Sequence, residues 1–263
     1  MRHLLFALMF SLCAACSVVT PPPLMMHQTD STFRSQPGTV TAGAFAGVGG
    51  GVFLNGAVGG IGALDYQAAD GVKLGVSGAV GGTPGGQTIS AATTLGAGRV
   101  YAQVRPAGVD WLALNAGVGG GGLDSGMRYG TADVGVSGGW TFARHVRPYG
   151  AWAIAVAVPF VAGQPLDSQG VKTGADAASA PAVPSGRYAR TTFYADATAG
   201  LAVAASANLE FALELHALFG QSLQSDGVGA LSATTGLRYR FGKPAADVVP
   251  HAPLADDPTE DAL

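Results

Sequence analysis

The chain has 263 residues, of which 41 are Gly and 48% are hydrophobic, with only 12% charged and a formal net charge of -3. That balance excludes a highly charged disordered chain, and a nucleic-acid partner is not expected, because 14 Lys and Arg scattered along an acidic chain create no basic field. An apolar, glycine-rich composition with few long helical patterns leaves an all-β membrane protein or a glycine-rich secreted β protein.

At the N-terminus Arg2 and His3 precede an apolar run from Leu4 to Leu12, followed by the small residues Ala14 and Ala15. This order of charge, apolar core and small residues predicts an export signal over 1–15. The segment Leu12-Cys13-Ala14-Ala15-Cys16 resembles a bacterial lipoprotein signal, with Cys13 standing where that family usually has Leu. The resemblance implies cleavage before Cys16 and a lipid on its sulfur; ordinary cleavage with Cys16 free is the alternative. In the lipidated case Cys13 leaves with the signal, so no thiol remains for a disulfide or a metal. Residues 16–37, with Pro21, Pro22 and Pro23 and no apolar period, read as a disordered tether.

From Gly38 to Phe241 the sequence alternates. In 208–219, Leu209, Phe211, Leu213, Leu215, Ala217 and Phe219 share one face, and Asn208, Glu210, Ala212, Glu214, His216 and Leu218 the other, which is the period of a strand. Ten such segments are predicted, near 39–48, 57–67, 71–80, 94–105, 109–118, 129–142, 146–158, 189–204, 208–219 and 229–241. The connections alternate in length: short at 68–70, 106–108, 143–145 and 205–207, longer at 49–56, 81–93, 119–128, 159–188 and 220–228. Short turns at one end and long loops at the other are the asymmetry of an outer-membrane barrel. Most segments reach the roughly 9–11 residues a strand needs to cross a bilayer, and only a closed barrel pairs every backbone group there. The apolar stretch from Ala151 to Ala162, interrupted by Pro159, is too short for a spanning helix. Tyr66, Tyr101, Trp111, Trp140, Phe142, Tyr149, Tyr239 and Phe241 fall near the short-turn end, where an interfacial belt is expected. Glycine in 39–67 specifies register weakly, so eight strands remain an alternative to ten. Beyond Phe241, residues 242–263 carry Pro244, Pro250, Pro253 and Pro258 among acidic residues and read as a disordered periplasmic tail.

Over 38–241 the chain resembles the small bacterial outer-membrane β-barrels of the outer-membrane protein A and opacity type. The last strand, Gly236-Leu237-Arg238-Tyr239-Arg240-Phe241, resembles the aromatic-terminated segment that barrel assembly machinery recognises in that family, although here a tail follows Phe241. The resemblance implies outer-membrane lipids and that machinery as partners, and an even strand count leaves both termini in the periplasm.

Most chemical motifs dissolve into this pattern. Gly117, Gly119 and Gly122 spell a dinucleotide-type glycine motif with no helix after it, and Gly135-Val136-Ser137-Gly138-Gly139 matches an esterase elbow but lies inside an alternating strand with Ser137 facing the lumen. Gly242-Lys243 lacks phosphate-loop spacing, and no His pair has helical metal-ligand spacing, so neither cofactor nor metal is expected. What remains is a charge cluster on the inner face: Asp196, Glu210, Glu214, His216, Arg238 and Arg240, with Glu210 roughly opposite Arg238 and His216 roughly opposite Asp196. Buried lumen charges pair because an unpaired one is costly. The sharper alternative makes His216 and Asp196 a hydrolytic pair, since ten-stranded outer-membrane proteases carry His and Asp at the rim of the barrel. Ten strands enclose little space. The expectation is therefore a structural or surface-interaction barrel with a plugged lumen, no catalysis, and 159–188 as its variable external part. A narrow passive channel lined by Lys73, Arg99, Gln103, Asp133, Asp196, Glu210 and Arg238 is the alternative.

Overall fold

The computed structural model describes residues 35–51, 54–83, 93–109, 111–123, 128–140, 146–161, 191–222 and 227–242. The signal segment, Cys16, almost all of the tether, Phe142 and the tail beyond Gly242 lie outside the described residues, as does most of 159–188.

Ten strands follow in chain order: β1 Val40–Gly51, β2 Leu54–Ala69, β3 Val72–Thr83, β4 Thr93–Val104, β5 Leu112–Leu123, β6 Arg128–Gly139, β7 Val146–Val161, β8 Thr192–Ala204, β9 Leu209–Ser222 and β10 Gly227–Phe241. Each pairs antiparallel with its sequence neighbours, and β1 pairs with β10 from Val40 opposite Phe241 to Gly51 opposite Ala230, closing the barrel. Ten strands, not the alternative eight, are present. Closure gives every strand two hydrogen-bonded neighbours, as a chain in hydrocarbon requires. Tight turns are built locally: after Asp70, Gly71 takes φ +70, and a Cβ there would approach Arg105 O to 2.9 Å.

Strand boundaries correct the expected loop asymmetry. Residues 49–51, 54–56, 119–123 and 220–222, read from sequence as loop, continue the strands. Glycine lacks a side-chain preference for strand, but a paired neighbour supplies hydrogen bonds that outweigh its intrinsic reluctance. Residues 84–92 and 162–188, also read as loop, lie outside the described residues.

The alternation places apolar side chains outside. Leu64, Val76, Val100, Val118, Val134, Ile154, Leu213, Leu215 and Leu237 are exposed on the outer wall, while the inner face is polar. Such a wall is stable only against lipid, and the fold is a transmembrane β-barrel. Among the described residues no helix is long and apolar enough to cross a membrane, which says nothing about crossing by strands. Tyr66, Trp111, Trp140, Tyr239 and Phe241 are exposed near the short-turn rim, and Phe160, Phe193 and Phe219 stand outward toward the opposite rim. Two of the expected belt residues depart from this: Tyr101 and Tyr149 point into the lumen, because parity along β4 and β7 turns odd positions inward there. Register also aligns Gly62, Gly78, Gly98, Gly120 and Gly130 side by side on the outer wall of β2 to β6, flanked by the Leu64, Val76, Val100 and Val118 row, with the Phe160 ring over Gly130.

Candidate functional site: the polar lumen

The inner face carries Arg99, Asp133, Asp196, Glu210, Glu214, His216 and Arg238, none more than 5% exposed. Charges buried this deeply persist only when paired and hydrogen-bonded. In this lumen some groups pair with a neighbour on the same or the adjacent strand, and three polar side chains reach across a whole strand, each over a glycine that the crossed strand offers at the crossing point.

Tyr101 on β4 passes over Gly75 of β3 and donates its hydroxyl to Asp65 on β2. A Cβ on Gly75 would stand 2.6 Å from Tyr101 Oη. Arg99, also on β4, reaches the other way over Gly117 of β5: Nε donates to Asp133 Oδ2 at 2.8 Å and Nη2 to Oδ1 at 2.5 Å, a bidentate pair with β6. A Cβ on Gly117 would lie 2.8 Å from Arg99 Nη2. The glycine motif at 117–122 thus seats a guanidinium, not a nucleotide. Arg99 also lies over the Tyr101 ring, Cζ 4.6 Å from its centroid, which couples the two crossings.

On the opposite wall Tyr149 of β7 crosses Gly200 of β8 and donates to Glu214 Oε1 on β9 at 2.6 Å. A fourth crossing is apolar and lies on the closing seam. Phe45 of β1 is opposite Gly236 of β10, where a Cβ would meet Phe45 Cα at 2.7 Å, and its ring packs with Ala212 of β9 and Ile61 of β2. Arg238 Cζ sits 5.6 Å from the Phe45 ring centroid.

The residues singled out from sequence come together as follows. Glu210 lies directly opposite Arg238, whose Nη1 donates to Glu210 Oε1 at 3.0 Å. His216 is opposite Thr198 rather than Asp196, a correction of two residues in register. The strand tilt still leaves His216 Nδ1 3.7 Å from Asp196 Oδ2, with Thr198 Oγ1 between them, donating to Asp196 Oδ2 at 2.8 Å and 3.0 Å from His216 Nδ1. His216 Nε2 is 3.3 Å from Glu214 Oε2, and Thr234 Oγ1 donates to that oxygen at 3.4 Å. Arg240 stands at the short-turn rim beside Thr41 and Asn208. Ser137 lies inside β6 and accepts from Asn115 Nδ2 at 3.1 Å. Gln103 and Lys73 are buried on the inner face with the rest of the expected channel lining.

No family model matches the chain, and no curated protein does. Among solved structures, outer-membrane protease OmpT from Escherichia coli is 13% identical, over 78% of this chain and 97% of that one, with a TM-score of 0.41. Neisserial surface protein A is 9% identical, over 77% and 96% of the two chains, at 0.38. The N-terminal β-barrel domain of OprF from Pseudomonas aeruginosa is 15% identical, over 79% and 100%, at 0.35. These neighbours are bacterial outer-membrane β-barrels, and the likeness is one of architecture.

Sequence reading found Glu210 with Arg238 because the connection 220–228 joins adjacent antiparallel strands. It missed Asp65, Tyr101, Tyr149, Thr198 and Phe45 as partners in the lumen. The available signal was glycine inside strands: Gly75, Gly117, Gly200 and Gly236 each mark a place where another group lies against the backbone. Among the described residues no group of three or more His, Cys, Asp or Glu could hold a metal.

Proposed function

We propose that this chain is a bacterial outer-membrane barrel whose lumen is closed by its own side chains, and that it serves as a structural or surface-interaction protein rather than as a conduit or a hydrolase. The observation that carries the reading is the filled lumen: Arg99, Asp133, Asp196, Glu210, Glu214, His216 and Arg238, which would be wet in an open channel, are no more than 5% exposed, and Arg99 and Glu214 are tied across strands over seated glycines. A barrel of this size is filled by its interior residues. Interaction with the outside is assigned to the connections opposite the rim from which both chain ends leave, the longest being 162–191.

The same burial weighs against hydrolysis at His216 and Asp196. Their side chains are 1% and 3% exposed, inside the wall rather than at a rim, so a peptide has no path to the imidazole. Both chain ends leave from one rim, since Val40 lies opposite Phe241. We assign that rim to the periplasm, which agrees with a lipid on Cys16 in the inner leaflet.

Planar-bilayer recording of the refolded full chain tests the reading. Silence across the voltage range is the expected result. Steady ohmic conductance that changes ion preference on neutralising Asp133 or Arg238 would replace the plugged barrel with the narrow channel.

A further inference from the structure

His216 is buried on the inner face of β9 with a carboxylate toward each ring nitrogen. Nε2 is 3.3 Å from Glu214 Oε2, and Nδ1 is 3.0 Å from Thr198 Oγ1 and 3.7 Å from Asp196 Oδ2. Counting hydrogens shows what the ring carries. Glu214 accepts from Tyr149 of β7 and Thr234 of β10, as an ionised carboxylate does, so Nε2 faces an acceptor and holds a hydrogen. Thr198 has one hydroxyl hydrogen to give. Given to Asp196 Oδ2 at 2.8 Å, it leaves a lone pair toward Nδ1, and that nitrogen then holds a hydrogen as well. Given to Nδ1 instead, it strips Asp196, a buried carboxylate whose Oδ1 already lacks a partner. A buried carboxylate with neither donor nor counter-charge is costly. The neighbouring strands offer Asp196 no substitute. Ser232 of β10 is directly opposite His216, Tyr194 of β8 bonds Thr192, and Arg238 of β10 acts on Glu214 while donating to Glu210.

We infer that His216 is a proton-dependent lock on the lumen: as an imidazolium it is the counter-charge of Asp196 on β8 and Glu214 on β9, and loss of its second hydrogen unlocks the β8 side. The rearrangement is specific. On a neutral ring Nε2 keeps its hydrogen on Glu214, Thr198 turns its own hydrogen from Asp196 to Nδ1, and Asp196 is left buried without a donor. Water must then enter beside β8 to solvate it. The lock is a property of the wall, and it is the same in a silent or a conducting barrel.

The test uses the refolded full chain with His3, His27, His145 and His251 replaced by Gln, so that His216 is its one imidazole. Nitrogen NMR of the labelled ring in detergent micelles is expected to show both nitrogens protonated at neutral pH. In Asp196→Asn only Nε2 should be protonated, because the new carboxamide donates to Thr198 and frees the Thr198 hydrogen for Nδ1. Urea unfolding in lipid vesicles at a series of pH values reads the consequence. The unfolded imidazole gives up its proton near about pH 6.5, so above that point folding takes up a proton. The folding constant should therefore fall by up to about tenfold per pH unit, levelling off once the folded ring has titrated too. Asp196→Asn should lack that fall, and so should His216→Gln; each is first shown to keep its heat-modifiable gel mobility, and either one suffices for the comparison. A singly protonated ring in the chain with Asp196 intact, or the same dependence on pH with and without the lock, overturns the inference.

Discussion

Gly200→Ala is the substitution that most directly probes how the lumen is held together. A Cβ at this position would stand 2.6 Å from Tyr149 Oη and nearer still to the ring carbons, so the Tyr149 ring must lift from the wall and give up its hydrogen bond to Glu214. Losing a hydrogen bond to a carboxylate costs about 1.5–3 kcal/mol, and forcing the ring into a filled interior adds about 1–3 kcal/mol. Against this, replacing glycine within a strand returns about 0.5–1 kcal/mol. The net expectation is a loss of about 2–5 kcal/mol. Gly62→Ala on the outer wall is the matched control: nothing lies within 4 Å of its added methyl, so the barrel should gain about 0.5–1 kcal/mol. Equilibrium urea unfolding in lipid vesicles, followed by the fluorescence of the outward Trp111, Trp140 and Trp152, measures both. A cycle with Tyr149→Ala isolates the contact, because Gly200→Ala should cost nothing once the ring is gone. Equal stability of Gly200→Ala and Gly62→Ala, or an unchanged cost in the Tyr149→Ala background, would refute the role assigned to the seated glycine.

Three further outcomes follow from the same arrangement. Asp133→Asn leaves Arg99 buried against a neutral partner and should destabilise by about 3–5 kcal/mol, whereas Arg99→Met with Asp133→Leu should be far milder in the same unfolding assay; equal losses would show that the pair itself, not the stranded charge, carries the energy. Val100→Arg puts a charge on the lipid-facing wall between two strands and should cost about 2–4 kcal/mol in vesicles, with little change if the wall faces water instead. Cys16→Ser should abolish metabolic labelling with palmitate while leaving heat-modifiable mobility intact, and labelling that persists would remove the lipid from the N-terminal assignment.

Much of the barrel is written locally. Alternation along 208–219 and 229–241 determined which residues face inward, and joining these two segments as antiparallel neighbours through 220–228 was enough to place Glu210 against Arg238. Period two survives any tertiary context because each strand must present one face to lipid and one to the lumen. Where side chains are missing, the signal thins: the glycines of 49–51 and 119–122 read as loop, and only pairing with β10, β4 and β6 showed them to be strand.

What the tertiary structure alone decided is the non-local part. Closure of β1 on β10 brings Phe45 over Gly236, two segments at opposite ends of the barrel sequence. Tilt and register carry Tyr101 to Asp65, Arg99 to Asp133 and Tyr149 to Glu214 across an intervening strand, distances in sequence of 36, 34 and 65 residues. No local pattern encodes such a reach, since it depends on which glycine the neighbouring strand happens to offer at the crossing and on how the strands stagger when the sheet closes. The sequence by itself thus determined the wall and its two faces, and the closed sheet decided how the charges inside it are joined.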